Sequence, residues 1–209
     1  CISTRVTRAD ISKFLTSLAG ALEAPELAGT KVTTTESDHE LDLKTVGRMT
    51  TFGVLINRFK AKWLADSVEQ HRYETWYQPI VHAKTALSEN TPFAHEGLFR
   101  IRDEHNTIVP PALAFQLAES SDLLFSLDLV ARRSAVECAA RANLRGKLFI
   151  NFNPSSIYDP AYCLRATAAA ISEIGLTPSD VVFEVTETHK AGDINHLKGI
   201  LSFYRTAGF

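Results

Sequence analysis

The sequence has few cysteines, no long apolar run and no repeat. Its three cysteines, Cys1, Cys138 and Cys163, are scattered and form no C-x-x-C pair. This pattern argues against a disulfide framework or a zinc site and favours a reducing compartment, so we expect a cytoplasmic protein. No apolar run approaches the roughly 20 residues that cross a bilayer, and no membrane segment is expected.

The sequence also lacks an excess of charge of one sign. It has 22 Lys and Arg against 24 Asp and Glu, a net charge of -2. The whole chain is therefore not attracted to a nucleic-acid polymer or to an anionic membrane, although a few placed arginines would suffice for a small nucleotide. Neither an initiator methionine nor a signal peptide is present, and we expect a fragment of a longer chain.

Residues 1–70 are predicted to form a helical lead-in or linker segment without catalytic residues. Apolar residues at helical spacing occur in two sets: Ile11, Leu15, Leu18 and Leu22, and then Phe52, Ile56, Phe59 and Trp63. The first set predicts a helix that ends at Pro25. The second predicts one helix that runs toward Gln70. The polar residues 31–40 between them are expected to form a loop.

From Tyr73 onward, apolar runs of strand length alternate with helical patterns. The predicted strands are 75–81, 93–101, 147–152 and 181–185, and the predicted helices are 111–120, 123–143, 162–174 and 193–208. This alternation predicts an α/β fold whose parallel strands are joined by right-handed crossovers.

Oxygen-bearing residues interrupt or end these apolar strands. Glu96 follows Phe93-Ala94, Asn151 follows Leu148-Phe149-Ile150, and Glu184 follows Val181-Val182-Phe183. A buried carboxylate is costly unless it is paired, hydrogen-bonded or bound to a metal. In a barrel the carboxyl ends of the strands face one mouth, where active sites are built. Two glutamates and an asparagine there suit Mg²⁺ or Mn²⁺ better than zinc.

Four short blocks carry a specific resemblance. They are YQPIV at 77–81, EGLFR at 96–100, INFNP at 150–154 and FEVTE at 183–187. In order and separation they resemble the signature blocks of the EAL domain family, over roughly residues 73–209. The resemblance implies that residues 71–209 form a partial EAL domain, the first part of a modified TIM-type (β/α)₈ barrel.

The resemblance also implies roles for individual residues. Glu96, Asn151 and Glu184 are similar to metal ligands, Glu187 to the acid that steadies the metal-site loop, and Gln78, Leu98 and Arg100 to substrate-contacting residues. Arg100 would lie next to a phosphate, which a guanidinium can bind through two hydrogen bonds. The implied cofactor is Mg²⁺ or Mn²⁺, with two ions in the complete domain.

The sequence departs from the family pattern at a few positions. Gly97 replaces the alanine of the signature, which we expect to matter little beyond a softer backbone, and Asn153 replaces a serine. The family's paired aspartates and catalytic lysine would follow Phe209. We therefore expect the parent protein to be catalytic and this chain alone to be inactive.

The resemblance implies a bacterial signalling protein that hydrolyses cyclic di-GMP to linear pGpG. Residues 1–70 would then be a linker, a sensory element or the dimerising element of a homodimer. One alternative is a non-catalytic EAL domain that binds cyclic di-GMP or a protein partner as a regulatory module. Another is an unrelated metal-dependent barrel enzyme.

The predicted helix 123–143 also carries charged residues. We interpret Asp128 as a structural cap or an ion-pair partner. Arg132 and Arg133 are expected on a solvated helix face and not in a nucleic-acid patch.

Overall fold

The computed structural model describes residues 6–7, 10–34, 43–83, 92–185 and 194–209. The part before residue 70 consists mainly of short helices, as predicted. Its elements are α1 (Ile11–Ala21), α2 (Ala24–Gly29), β1 (Lys31–Val32), α3 (Leu43–Gly47), β2 (Thr50–Thr51), α4 (Phe52–Lys60) and α5 (Lys62–Glu69). Helices α1, α2 and α4 enclose a small apolar core of their own, with Leu15, Phe52 and Ile56 buried at its centre.

Two local predictions for this segment are wrong. Helix α1 ends at Ala21, before Pro25, and Pro25 lies in the first turn of α2, where its fixed φ angle is tolerated. The stretch 31–40 does not begin as a loop, because Lys31 pairs with Thr51 in an antiparallel strand pair. Residues 35–40 lie outside the described part of the chain.

The remaining elements build one mixed sheet with helices. They are β3 (Tyr73–Ile80), β4 (Ala94–Arg102), β5 (Ile108–Val109), α6 (Pro111–Ser120), α7 (Leu124–Arg141), β6 (Lys147–Phe152), α8 (Pro160–Glu173), β7 (Val181–Val185) and α9 (Ile194–Thr206). The strand order is β3-β4-β6-β7, with β5 paired to β4. The parallel sheet is confirmed for β4, β6 and β7, and it does not extend to β3 and β5, which run antiparallel to β4.

Helices cover one face of this sheet. Leu148 and Ile150 of β6 and Val181 of β7 pack against Val136 of α7 and Ile171 of α8. Each of these side chains is buried. A fully buried aliphatic side chain stabilises the fold by roughly 1.5–3 kcal/mol. Since side chains alternate along a strand, the residues between them face the other side of the sheet.

The apolar stripe of residues 52–63 lies on two helices and not on the one helix that its spacing predicts. Helices α4 and α5 meet at Ala61, which is 0% exposed. Phe52 and Ile56 belong to the N-terminal core, whereas Leu64 packs in a separate core formed by α5, α6, α7 and β4. The break therefore lets the residues on its two sides pack into two different cores. No Gly or Pro indicates the break in the sequence.

Helix α7 carries a buried ion pair. Arg132 Nε donates to Asp128 Oδ2 at 3.0 Å, and the two side chains are 0% and 2% exposed. The interpretation of Asp128 as an ion-pair partner is confirmed, but the solvated position expected for Arg132 is wrong. Arg133 does lie on the exposed face and pairs with Glu137 at 3.1 Å. An Asp four residues before an Arg was the signal that could have indicated the buried pair.

Within the described residues, no helix is both long and apolar enough to cross a membrane. Cys138 and Cys163 are free thiols, and Cys163 is buried. Cys1 lies outside the described part of the chain.

Candidate functional site

Neighbouring strands bring Glu96, Asn151 and Glu184 together. Asn151 Nδ2 donates to Glu96 Oε1 at 2.7 Å, across the parallel pair β4 and β6. Asn151 also lies beside Glu184 in the parallel register of β6 and β7. The three residues that the sequence singles out therefore occupy adjacent strands on one face of the sheet.

The local sequence explains why this face is polar. Ile150 and Phe152 are buried under the helices. Because strand side chains alternate, Asn151 between them must point to the opposite face. In β4, Gly97 and Phe99 face the helices in the same way, and this directs Glu96 to the face of Asn151.

Glu96 lies at a different place along its strand from Asn151 and Glu184. Asn151 and Glu184 each lie one residue before the end of a strand, as expected, but Glu96 is the third residue of a nine-residue strand. Strand β4 is long because it pairs with β3 from Ala94 to Ile101 and with β5 at its end, beyond the part that pairs with β6. Since Gly97 pairs with Ile150, the contact from Glu96 to Asn151 runs diagonally across the sheet.

The electrostatics of this site favour a cation. Partial burial and the negative charge of Glu96 both raise the pKa of Glu184 above its ordinary value. Two carboxylates that repel each other are stabilised by a positive ion between them. Among the described residues, no group of three His, Cys, Asp or Glu side chains could hold a metal, and here the third oxygen donor is the Asn151 amide. The all-oxygen set suits a hard ion such as Mg²⁺ or Mn²⁺.

Arg100 lies on the same face, four residues after Glu96. Its guanidinium lies over the Trp76 ring, 4.8 Å from the ring centroid, and its Nη1 donates to the Phe99 carbonyl at 2.9 Å. Trp76 Nε1 in turn donates to Glu74 Oε1 at 2.9 Å. A cation over an indole ring is held by the ring's negative face. Arg100 is therefore oriented before any ligand arrives.

Trp76 is a further residue of this face, and the sequence alone does not single it out. Its spacing from Gln78 could have indicated it, because side chains two residues apart on a strand point to the same face. In the β3–β4 register, Trp76 pairs with Leu98 and Gln78 pairs with Glu96. The expected substrate residues Gln78, Leu98 and Arg100 are thus adjacent on the face that carries Glu96.

Gly97 has a packing role beyond the softer backbone expected for it. A Cβ atom at this position would lie 3.1 Å from the Cβ of Ala135, so the glycine lets α7 approach β4 closely. Asn153, the other departure, is buried just after β6, and its side-chain Oδ1 accepts from the Ser155 amide at 2.9 Å. Glu187 lies outside the described residues, and its role stays a prediction.

Comparisons with known proteins identify the family. The model of the EAL domain family matches residues 61–209. The chain is 30% identical over 128 residues to the cyclic di-GMP phosphodiesterase RocR of Pseudomonas aeruginosa PAO1, covering 58% of this chain and 30% of RocR. The chain thus spans less than a third of the length of that curated relative.

Solved structures show the same fold. A standalone versatile EAL protein from Vibrio cholerae O395, in its cyclic di-GMP-bound form, is 31% identical with a TM-score of 0.53, over 66% of this chain and 54% of that chain. The FimX EAL domain from Pseudomonas aeruginosa bound to cyclic di-GMP is 21% identical with a TM-score of 0.57, over 69% of this chain and 57% of that chain. The second likeness concerns the fold alone. The family model matches more than half of this chain, and the chain therefore belongs to the EAL domain family.

Proposed function

We propose that this chain contributes a cyclic di-GMP site, and that the whole protein hydrolyses cyclic di-GMP to linear pGpG with Mg²⁺ or Mn²⁺. One observation supports the proposal above all. The contact of 2.7 Å between Asn151 and Glu96 lies on the sheet face that also carries Glu184 and Arg100. Oxygen ligands for a metal and a cation for a phosphate thus share one surface.

Glu96, Asn151 and Glu184 would hold the metal. When bound, the ion activates water and neutralises charge on the phosphate. The protein's part is to keep the three donors on adjacent strands, where the sheet holds their spacing. The amide of Asn151 would turn its Oδ1 toward the ion, and Glu96 would then exchange the amide hydrogen bond for the metal.

Arg100 would bind a phosphate of the ligand. Its guanidinium can donate two hydrogen bonds to phosphate oxygens while Trp76 supports its other face. Gln78, which is exposed opposite Glu96, and Leu98 would contact the rest of the nucleotide. Glu187 would steady the metal-site loop, as the family resemblance implies.

The relatives support this ligand without fixing the activity. RocR is named a cyclic di-GMP phosphodiesterase, and the similar Vibrio cholerae structure contains cyclic di-GMP. This chain matches about a third of the first and about half of the second. Catalysis by the whole protein is therefore part of the proposal.

We further propose that the N-terminal segment is a linker, sensory or dimerising element joined to the EAL domain by polar contacts. Arg58 Nη2 donates to Asp122 at 2.6 Å, and Asn57 donates to the Ser120 carbonyl at 3.0 Å. Sedimentation of the whole protein with and without residues 1–60 tests the homodimer. The cytoplasmic location and the domain boundary at residue 70 stay predictions from the sequence.

The function is tested by incubating the purified whole protein with cyclic di-GMP and either Mn²⁺ or Mg²⁺ and separating the products by chromatography. The wild type should form linear pGpG, and Asn151→Ala should lower the rate by about tenfold to a hundredfold or more. Glu137→Gln, an exposed change on α7, is the control and should keep the rate. Tight nucleotide binding without hydrolysis would instead support the regulatory module, and neither binding nor hydrolysis would refute the proposal.

A further inference from the structure

The end of strand β6 is held unevenly. Its parallel pairing with β4 ends at the Gly97–Ile150 pair, whereas its pairing with β7 continues to Phe152. Asn151 is therefore the first residue of β6 that has no register partner on β4, whereas it is still paired with Glu184 on β7.

The buried Asp128 supplies a second constraint directly after this point. Its Oδ1 accepts from the Asn153 backbone amide at 2.9 Å. Its Oδ2 lies 2.9 Å from the Ser156 hydroxyl, which also lies 2.7 Å from the Asn153 carbonyl. Asp128 thus holds the short helical turn Pro154–Ser156 that follows β6.

Arg132 holds Asp128 and ties the turn to the next helix. Its Nε donates to Asp128 Oδ2 at 3.0 Å, and its Nη1 donates to Thr167 Oγ1 at 3.0 Å and to the Cys163 carbonyl at 3.3 Å. Thr167 and Cys163 are both buried on α8. The pair therefore links α7, α8 and the turn after β6.

We infer that Asp128, supported by Arg132, is a positioning residue that keeps Asn151 against Glu96. The inference rests on the proposed role of Asn151 in the metal site. Asp128 acts through the Asn153 amide, two residues from Asn151, and it touches neither metal nor substrate.

Two double variants separate positioning from stability. Asp128→Leu/Arg132→Met and Asp128→Asn/Arg132→Met both remove the buried charges, a change that often leaves a protein folded when both partners are replaced together. Leucine and asparagine are similar in size, but only asparagine can accept from the Asn153 amide. The exposed pair Arg133 and Glu137 on the same helix offers the matched control Glu137→Gln.

The readouts are the side-chain amide signal of Asn151 in the metal-free, ¹⁵N-labelled whole protein and the Mn²⁺ dissociation constant from titration. We expect the leucine double variant to shift or broaden the Asn151 signal and to weaken Mn²⁺ binding about tenfold or more. For the asparagine double variant and for Glu137→Gln, the Mn²⁺ dissociation constant should stay within about threefold of the wild-type value. Thermal unfolding checks that each variant is folded.

Equal Mn²⁺ affinity and an unchanged Asn151 signal in both double variants would overturn the inference. If either double variant fails to fold, Ser156→Ala decides, because it leaves the ion pair intact and loosens only the turn. It should move the Asn151 signal in the same direction, and an unmoved signal would also overturn the inference. Failure of the wild type to bind Mn²⁺ would instead refute the proposed function, while the metal-free Asn151 signal would still test the positioning.

Discussion

Asn151 donates its side-chain amide to Glu96 across two parallel strands, at 2.7 Å. In the metal-free protein this hydrogen bond stabilises the Glu96 carboxylate, which shares the site with Glu184. The contact makes the site sensitive to any change that adds negative charge or removes the donor.

The first prediction concerns that donor. Asn151→Asp removes the hydrogen bond and places another carboxylate beside Glu96 and Glu184. We expect the metal-free free energy of unfolding at neutral pH to fall by about 1–3 kcal/mol, measured by urea denaturation. Asn143→Asp, the same chemical change at an exposed residue just after α7, is the control and should cost less than about 1 kcal/mol. Equal losses in the two variants would contradict the account.

The second prediction is a pH dependence. Burial and Glu96 raise the pKa of Glu184 above its ordinary 4.5, so the folded protein holds this proton more tightly than the unfolded chain does. Stability therefore decreases as pH rises from about the unfolded value through the raised folded pKa. Glu184→Gln should stabilise the metal-free protein at pH 7 by up to about 1 kcal/mol, since the site is partly exposed. The gain should vanish below about pH 4.5, and a gain that persists there would refute this explanation.

The third prediction separates the phosphate group from the metal ligands. Arg100→Ala should weaken cyclic di-GMP binding about tenfold or more, the loss expected for a charge-assisted pair. It should leave Mn²⁺ binding nearly intact. Arg100→Lys keeps the positive charge but lacks the planar guanidinium. Its affinity for cyclic di-GMP should lie between those of the wild type and Arg100→Ala. Isothermal titration with each ligand measures both effects, and loss of Mn²⁺ and nucleotide binding together would indicate a folding defect.

The fourth prediction concerns the start of β6. Gly146 has φ +90°, and a Cβ atom there would lie 2.5 Å from the Phe93 carbonyl oxygen. That oxygen accepts from the Lys147 amide at 3.1 Å, so Gly146→Ala disturbs the first contact between β4 and β6. We expect a loss of about 2–4 kcal/mol in the free energy of unfolding.

Gly175 provides the matched control for this change. It has φ +76° and nothing within 4 Å of a Cβ atom, so Gly175→Ala meets backbone strain alone. We expect a loss of about 1–2 kcal/mol for it. A loss at Gly146 no larger than the loss at Gly175 would show that the approach of Phe93 is unimportant.

The sequence predicts much of this architecture because several elements are bounded by clear signals. Strand β6 begins directly after Gly146, helix α6 begins at Pro111, and strand β7 is a short apolar run with Glu184 inside it. The positions of Glu96, Asn151 and Glu184 on adjacent strands follow from these runs and from the family blocks.

Other features depend on contacts that the sequence does not display. The break at Ala61 arises because the two ends of one apolar stripe join different cores. The burial of Arg132 depends on Asp128 and on α8, which is distant in the sequence. Trp76 enters the site through its register with Leu98 in an antiparallel pair that the alternating pattern does not predict.

The most direct test of the proposed site is a crystal structure of the whole protein grown with Mn²⁺ and cyclic di-GMP. Anomalous scattering would locate the metal. We expect a Mn²⁺ ion within about 2.0–2.6 Å of oxygen atoms from Glu96, Asn151 and Glu184, with the Arg100 guanidinium on a phosphate of the ligand. Metal density bound elsewhere, with these three side chains free of it, would contradict the account.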